Sequence, residues 1–359
     1  MFKSKLQFWT FELLMIALFI YVCTKISFVF EPVAVFISTL FFPIFVSGFL
    51  YFLFQPIVSF LVNRKVPKGL AILTLYVVFI GLIAAIIGVV GPALSRQITD
   101  LVHNIPSYVE EARQFIDRLS HSRGFTWIVE QEYVSLDQLE DSILNYASTL
   151  PTNLKNSISS VFSVVTNITL IIVTVPFVLF YMLKDGQKLP KRILPFVPSS
   201  YRKEALRMMK ETANTLATYI QGQVLVCLFV GITTFIGYLI IDLPYALILA
   251  IIGAITNIIP YVGPFIGAAP ALIVGLLYSP TKPLFVLLVI VIVQQLDGNV
   301  ISPLVIGKKL NTHPLTIIIL LLVAGNIAGI LGMILAIPTY AVTKTIVFNI
   351  VRVVRVRRS

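Results

Sequence analysis

Outside residues 93–157, the apolar residues of this chain do not alternate with polar ones at strand or surface-helix spacing; they come in long unbroken runs. Runs of this length read as membrane-spanning helices. Two of them are too long for one span. No charge occurs from Leu243 to Thr281, or from Leu310 to Thr343. At ~1.5 Å per residue the first would make roughly 58 Å of straight helix, nearly twice a ~30 Å hydrocarbon core. Both are also interrupted, one by Pro260-Tyr261-Val262-Gly263-Pro264 and Pro270, the other by Gly325-Asn326, Gly329, Gly332 and Pro338. Each run therefore predicts either two spans meeting at a tight turn or a re-entrant hairpin of two half-helices. Freed backbone groups at that depth are tolerated only when buried in protein or lining a cavity.

Six further apolar segments complete an all-α, polytopic bundle of about eight membrane segments, counting the two broken hairpins. The first covers about Trp9 to Phe30, with Glu12 and Lys25 placed to snorkel to opposite surfaces. The second lies within Pro32–Asn63 and is punctuated by Pro43, Gly48 and Pro56. Others run from Gly69 to about Pro92, Ser157 to Leu183, Asn214 to Ile241 and Pro283 to Leu296. Residues 93–157 differ. Acids concentrate there, and Ile98, Leu101, Val102 and Ile105 fall at helical spacing, as do Leu136, Leu139, Ile143 and Tyr146. This predicts two or three amphipathic helices outside the membrane. The resulting units are 1–92 (segments one to three), 93–157 (the insertion), 158–211 (segment four and a basic loop), 212–350 (the core with both hairpins) and 351–359 (a basic tail).

Composition supports the membrane class: 58% hydrophobic and 12% charged residues, the latter about half the usual share. The net charge of +11 does not indicate nucleic-acid binding. The bases gather in short segments between apolar runs, at Arg64, Lys65 and Lys68, densely within 184–211, and at Arg352, Arg355, Arg357 and Arg358. That is the positive-inside pattern. It puts both termini and 184–211 in the cytoplasm and 93–157 outside. Cys23 and Cys227 match no metal or redox spacing, so no cofactor or metal is expected.

Asp297 is the one carboxylate after Asp242, and it sits among Gln294, Gln295 and Asn299. An acid at membrane depth costs roughly 2.5–3.5 kcal/mol. Two readings stay open: a proton or cation site that titrates during transport, or a helix-end residue near Lys308 and Lys309. Lys282 is expected to pair with Asp242 at the other surface. Enzymatic chemistry is not expected. Membrane aspartyl proteolysis needs two carboxylates, no His-Glu-x-x-His or P-loop sequence occurs, and His313 has no evident nucleophile beside it. An internal echo links the two broken runs: Asn257 precedes Gly263 by the same interval as Asn326 precedes Gly332, with Pro270 and Pro338 following at similar offsets. Paired interrupted segments point to a transporter's binding site, here an inverted pair around Asp297. The candidate pathway is Asn257, Pro260, Tyr261, Gly263, Pro264, Gln294, Gln295, Asp297, Asn299, Asn326, Gly329 and Gly332.

Pro260-Tyr261-Val262-Gly263-Pro264, Gln294-Gln295-Leu296-Asp297 with Asn299 and Pro303, and Gly329-Ile330-Leu331-Gly332 followed by Ala336-Ile337-Pro338 resemble the autoinducer-2 exporter family. The resemblance covers essentially the whole chain. It implies a multi-pass bacterial cytoplasmic-membrane protein; some members are described as exporting autoinducer-2, others as exchanging sodium for protons. No binding residues are carried over from it. The expected function is a secondary transporter, ion-coupled or facilitated, exporting a small polar solute such as a signalling molecule. The alternatives are a sodium/proton antiporter, and a passive pore or a membrane interaction protein without transport. The expected partners are the lipid bilayer, a small polar solute and/or a proton or sodium ion, with room for a homo-oligomer.

The orientation is tested by labelling single cysteines in intact cells with a membrane-impermeant reagent. Ser120→Cys should react from outside and Ser200→Cys only after permeabilisation; the opposite pattern would overturn the topology.

Overall fold

The computed structural model describes residues 5–120, 169–305 and 313–358, and all regular structure there is helical. Helix α1 (Lys5–Lys25) is followed at Ile26 by α2 (Ser27–Asn63), then α3 (Lys68–Ser120), α4 (Thr169–Asp185) and a chain of short helical turns to Tyr201. The rest comprises α5 (Arg202–Ile240), α6 (Ala246–Thr256), α7 (Val262–Tyr278), α8 (Lys282–Leu296), a π-turn (Asp297–Ile301), α9 (Ser302–Val305) and α10 (Pro314–Arg358). Among the described residues five stretches are long and apolar enough to cross a membrane: Thr39–Asn63, Lys68–Leu101, Ser199–Ile240, Lys282–Val305 and Pro314–Phe348. Trp9–Phe19, α6 and α7 are apolar but shorter.

Two packed regions organise the bundle. In one, Phe54 and Val58 of α2 meet Ala71, Ile72 and Leu75 of α3 and Leu179 and Leu183 of α4. In the other, α5 is central, with Val226, Val230 and Tyr238 against α6, α7 and α8. Close approach depends on glycine, as is usual where helices associate without a hydrophobic drive between them. A Cβ at Gly231 would lie 2.8 Å from the Cβ of Ala254 on α6, and one at Gly237 would overlap Val289 on α8.

The third predicted span and the start of the predicted insertion form one element. Helix α3 passes through Pro92 and Pro106 without a break. Its extension past residue 93 docks on the start of α6. Leu101 is 2% exposed in a cluster with Leu243, Ala246 and Ile248, and Ile98 packs against it. Gln97 Oε1 accepts the Ile248 backbone N–H at 3.2 Å, capping one of the unpaired donors in the first turn of α6. Asn104 donates to the Tyr245 hydroxyl at 3.2 Å. The apolar stripe read from sequence thus serves tertiary packing at Ile98 and Leu101. The insertion beyond residue 120 lies outside the described residues, as do Lys308 and Lys309.

Both overlong runs reverse direction. The first breaks into α6 and α7 around residues 257–261. The second is continuous in hydrogen bonding, but Ala328 (φ −138°, ψ 22°) and Gly329 (φ 59°, ψ −143°) leave the helical region and divide α10 into arms at 314–327 and 330–358. A straight helix would put Ala324 and Gly332 about 12 Å apart along the axis. Here a Cβ at Gly332 would overlap the Ala324 carbonyl oxygen, so the second arm folds back on the first. Gly263 has the same relation to the Thr256 carbonyl oxygen. The echo between these two glycines is therefore structural: each lets a returning helix cross the carbonyl end of the one before it. The hairpins touch near their turns, where Ile259 packs with Leu321 and Ala336.

Lys282 does not pair with the Asp242 carboxylate. Its ammonium donates to the carbonyls of Ile241 and of Asp242 (3.1 Å), capping the C-terminal end of α5. Lys68 does the same for α4 through the Lys184 carbonyl at 2.7 Å. Unpaired carbonyls at a helix end carry partial negative charge, which suits an ammonium there.

Gly263→Ala and Gly332→Ala should each lower the melting temperature of the detergent-solubilised protein, because overpacking of this kind typically costs about 1–3 kcal/mol. Gly253→Ala is the control. Its added Cβ meets no atom within 4 Å, and a helix-interior glycine replaced by alanine should be neutral or gain ~0.5–1 kcal/mol. Equal melting temperatures for all three would contradict the close crossings.

Candidate functional site

The turn between α6 and α7 must place polar backbone inside an apolar bundle, and nearly every group there has a partner. Asn257 N–H bonds to Gly253 O, Ile258 N–H to Ile255 O, Ile259 N–H to Thr256 O and Gly263 N–H to Ile259 O. Thr256 Oγ1 donates back to Ile252 O at 2.9 Å. The Asn257 carbonyl is closed from another helix: Gln223 Nε2 of α5 donates to it at 2.8 Å. Gln223 is 5% exposed and Asn257 3%, so this bond sits at the edge of the space both residues border, with little access to water. An unmade bond at this site would cost on the order of 1–3 kcal/mol.

The tip is strained. Tyr261 has φ 64° and ψ −45°, and Val262 N–H bonds to Pro260 O at 2.8 Å, which makes a γ-turn with a left-handed central residue. For a non-glycine residue this conformation stores about 1–3 kcal/mol. Pro264 follows in the first turn of α7, where its missing N–H removes no helical bond.

Across from the tip, α8 runs into the π-turn at Asp297–Ile301. In an α-helix, residues five apart lie about 140° apart around the axis. The wider π-turn brings Ser302 back over Asp297, and Ser302 Oγ donates to Asp297 Oδ1 at 2.7 Å. Such turns occur often at functional sites. Pro303 adds a missing backbone donor just beyond.

Between tip and π-turn lies an open-sided cavity of about 940 Å³, bounded by α5, α7, α8 and α10. Its polar lining is Gln223, Asn257, Tyr261, Gln294, Asp297 and Ser302, with the rings of Tyr219, Phe265 and Tyr340 on its walls. Of the twelve residues singled out from sequence, Asn257, Pro260, Tyr261, Pro264, Gln294 and Asp297 line it. Gly263 is buried behind the tip. Gln295 and Asn299 lie on the exposed side of the same helix, where Asn299 Nδ2 donates to Gln295 Oε1 at 2.7 Å. Helical phase explains the division: Gln294 and Asp297 are three apart and share the inner face, whereas Gln295 and Asn299 are four apart on the outer one. Asn326 and Gly329 are exposed at the turn of the second hairpin, and buried Gly332 serves its crossing.

Gln223, Tyr219, Ser302 and Tyr340 were not singled out. Gln223 had a readable signal, since an amide in the middle of an apolar run needs a partner. Ser302 had none, because only the π-turn brings it to Asp297. A smaller cavity of about 320 Å³ between α2, α5 and the second arm of α10 shares Tyr219 and Gln223 with the larger one. Among the described residues no group of three or more His, Cys, Asp and Glu could hold a metal ion.

Comparison with known proteins gives this arrangement a family. The profile described as "AI-2E family transporter" matches residues 14–352. The chain is 57% identical over 358 residues to the Bacillus subtilis protein named "Putative transport protein YueF", covering 100% of this chain and 97% of that one. It is 34% identical over 348 residues to "Putative transport protein YrrI" of the same organism, covering 97% of each. The "AI-2 transport protein TqsA" of Escherichia coli is 24% identical over 307 residues, 84% of this chain and 83% of that one. With the match spanning both hairpins and the π-turn between them, the chain belongs to the AI-2E family of membrane transporters.

Proposed function

We propose that the chain is a secondary transporter that moves a small polar solute through the cavity between the first hairpin tip and the π-turn. The observation that carries this reading is the gathering of polar groups around one cavity. Gln223, Asn257, Tyr261, Gln294, Asp297 and Ser302 line a single cavity, while the flanking helices present apolar side chains. A passive pore needs polar groups in a column along its length. A binding site needs them gathered, with apolar walls around a few placed polar groups.

In this reading both hairpins are re-entrant. Helix α6, with 11 residues, reaches only about 16 Å, half a bilayer core. α7 would return to the side where Lys282 caps α5. The second hairpin would enter and leave from the opposite side, which is the cytoplasmic one if the basic segments follow the positive-inside rule. The tip of one hairpin then faces the cavity while the other supports it. The name of TqsA, an AI-2 transport protein, favours AI-2 or a solute like it as the substrate class, and the amide, phenol and hydroxyl lining suits a neutral hydroxylated solute. Asp297 is the group on which ion coupling would rest, and exchange of sodium for protons has no support beyond it.

Asp297→Asn keeps the shape and can still accept from Ser302, but removes the charge. In proteoliposomes, solute exchange without a gradient should survive, while accumulation driven by a proton or sodium gradient should fall to background. Gradient-driven accumulation at the wild-type level would remove Asp297 from coupling. Ser302→Ala removes a bond to a charged group, worth about 1.5–3 kcal/mol, and should weaken coupled transport by roughly tenfold or more at unchanged yield of folded protein. A loss of folded protein with normal transport per molecule would assign both residues a structural role instead.

A further inference from the structure

Residues 186–198, between α4 and α5, lie outside every stretch long enough to cross a membrane among the described residues, yet they display large apolar side chains. Phe196 is 89% exposed, Leu189 57% and Ile193 39%. At about 100° per residue these three fall within an arc of about 60° on one side of the short helical path Leu189–Phe196. Pro190, Leu194 and Val197, each half-buried, mark the side turned toward the protein. Two apolar stripes thus run along one short segment, one packed and one presented outward.

The outward stripe is held in place. Arg202, in the first turn of α5, donates from Nε to the Val197 carbonyl at 3.1 Å and from Nη2 to the Pro195 carbonyl at 3.5 Å, bracketing Phe196. At the other end Lys188 pairs with Asp185 at 2.7 Å. A phenylalanine fixed outward by its neighbours' backbone is placed to meet an apolar medium. The surrounding charge specifies which: Lys184, Lys188, Lys191, Arg192, Arg202 and Lys203 are all exposed. Asp185 and Glu204 are the carboxylates among them, and Asp185 is held below the usual range chiefly by its hydrogen bond to Lys188.

We propose that Leu189, Ile193 and Phe196 insert into the bilayer surface beside the helix ends, with the surrounding lysines and arginines on anionic lipid headgroups. An apolar stripe flanked by bases on a short segment at the end of a span is the form an interfacial anchor takes. Phosphate groups complement the bases, and shallow acyl chains complement the stripe. Because the segment links α4, in one packed region, to α5, at the centre of the other, the anchor fixes the depth of the N-terminal end of α5 relative to the lipid surface. This proposal needs only that the chain spans a membrane. It is independent of what the cavity carries and of which side the segment faces.

The test uses full-length Phe196→Trp protein in vesicles of phosphatidylcholine alone or mixed with phosphatidylglycerol. The difference spectrum against the wild type isolates the new indole. The expected result is blue-shifted emission, quenched by lipids brominated near the headgroup, with stronger quenching in the phosphatidylglycerol mixture and weaker quenching at high salt. Lys188→Gln, Lys191→Gln and Arg192→Gln together should abolish the difference between the two lipid mixtures. A difference that persists in this triple variant would overturn the role of the bases. Quenching by aqueous iodide but not by brominated lipid would place Phe196 in water and overturn the proposal. Shielding from both quenchers would mean that protein covers the stripe, and would overturn it as well.

Discussion

The structure depends on satisfying backbone carbonyls where helices stop inside an apolar medium. Hydrocarbon offers no donor, so each interruption must borrow one from a neighbouring helix. Gln223 serves the Asn257 carbonyl, and Gln221 of the same helix serves the Phe52 carbonyl at 2.6 Å. The second case has a direct covalent cause. Pro56 has no N–H, so the carbonyl four residues earlier in α2 has lost its helical donor. Ser47 and Tyr76 also reach the Val175 and Pro176 carbonyls within α4, where no break requires it, at 3.1 and 2.7 Å. These bonds are strong where they form, and they tie α2, α3 and α5 to neighbours whose contacts are otherwise apolar and non-directional. They also require donors in particular. Glutamate at 221 or 223 would match glutamine in size yet set a carboxylate oxygen against a carbonyl oxygen.

Much of this was legible in the sequence because length is a hard constraint in a bilayer. The two charge-free runs could not be single spans, and both reverse where glycine and proline interrupt them. The interval shared by Asn257–Gly263 and Asn326–Gly332 marks two hairpin crossings. It does not mark two copies of a binding tip. The first turn lines the cavity through Asn257, Pro260 and Tyr261, while Asn326 and Gly329 at the second are exposed and away from it. Spacing encodes the backbone reversal, but what each turn faces depends on tertiary placement.

Other features were hidden because local rules point the wrong way. Pro92 reads as an end, yet α3 runs through it, supported by packing of Leu101 and Ile98 against the start of α6. Gln294, Gln295, Asp297 and Asn299 read as one polar cluster, and helical phase divides them into an inner and an outer pair. The Asp297–Ser302 bond crosses an interval that an ordinary helix would not bring together. Formal charge alone pairs Lys282 with Asp242, because the partial charge of a helix end, which Lys282 meets instead, is not visible in a sequence.

Helix α3 has 53 residues and would measure about 80 Å if straight. Its first half packs with α2 and α4; beyond residue 93 it is fastened to the start of α6 at Gln97, Leu101 and Asn104. A rod attached at two heights behaves as a lever. A tilt of about 10° within the bilayer would move a point ~40 Å further along by about 7 Å, given the ~1.5 Å rise per residue and a stiff helix. Gly91 and Pro92 lie between the two attachments, where the helix lacks one backbone donor, so the stiffness of that step sets how far rocking of the first hairpin against α2 and α4 is carried toward Ser120. A load applied there would reach the cavity wall through the same shaft.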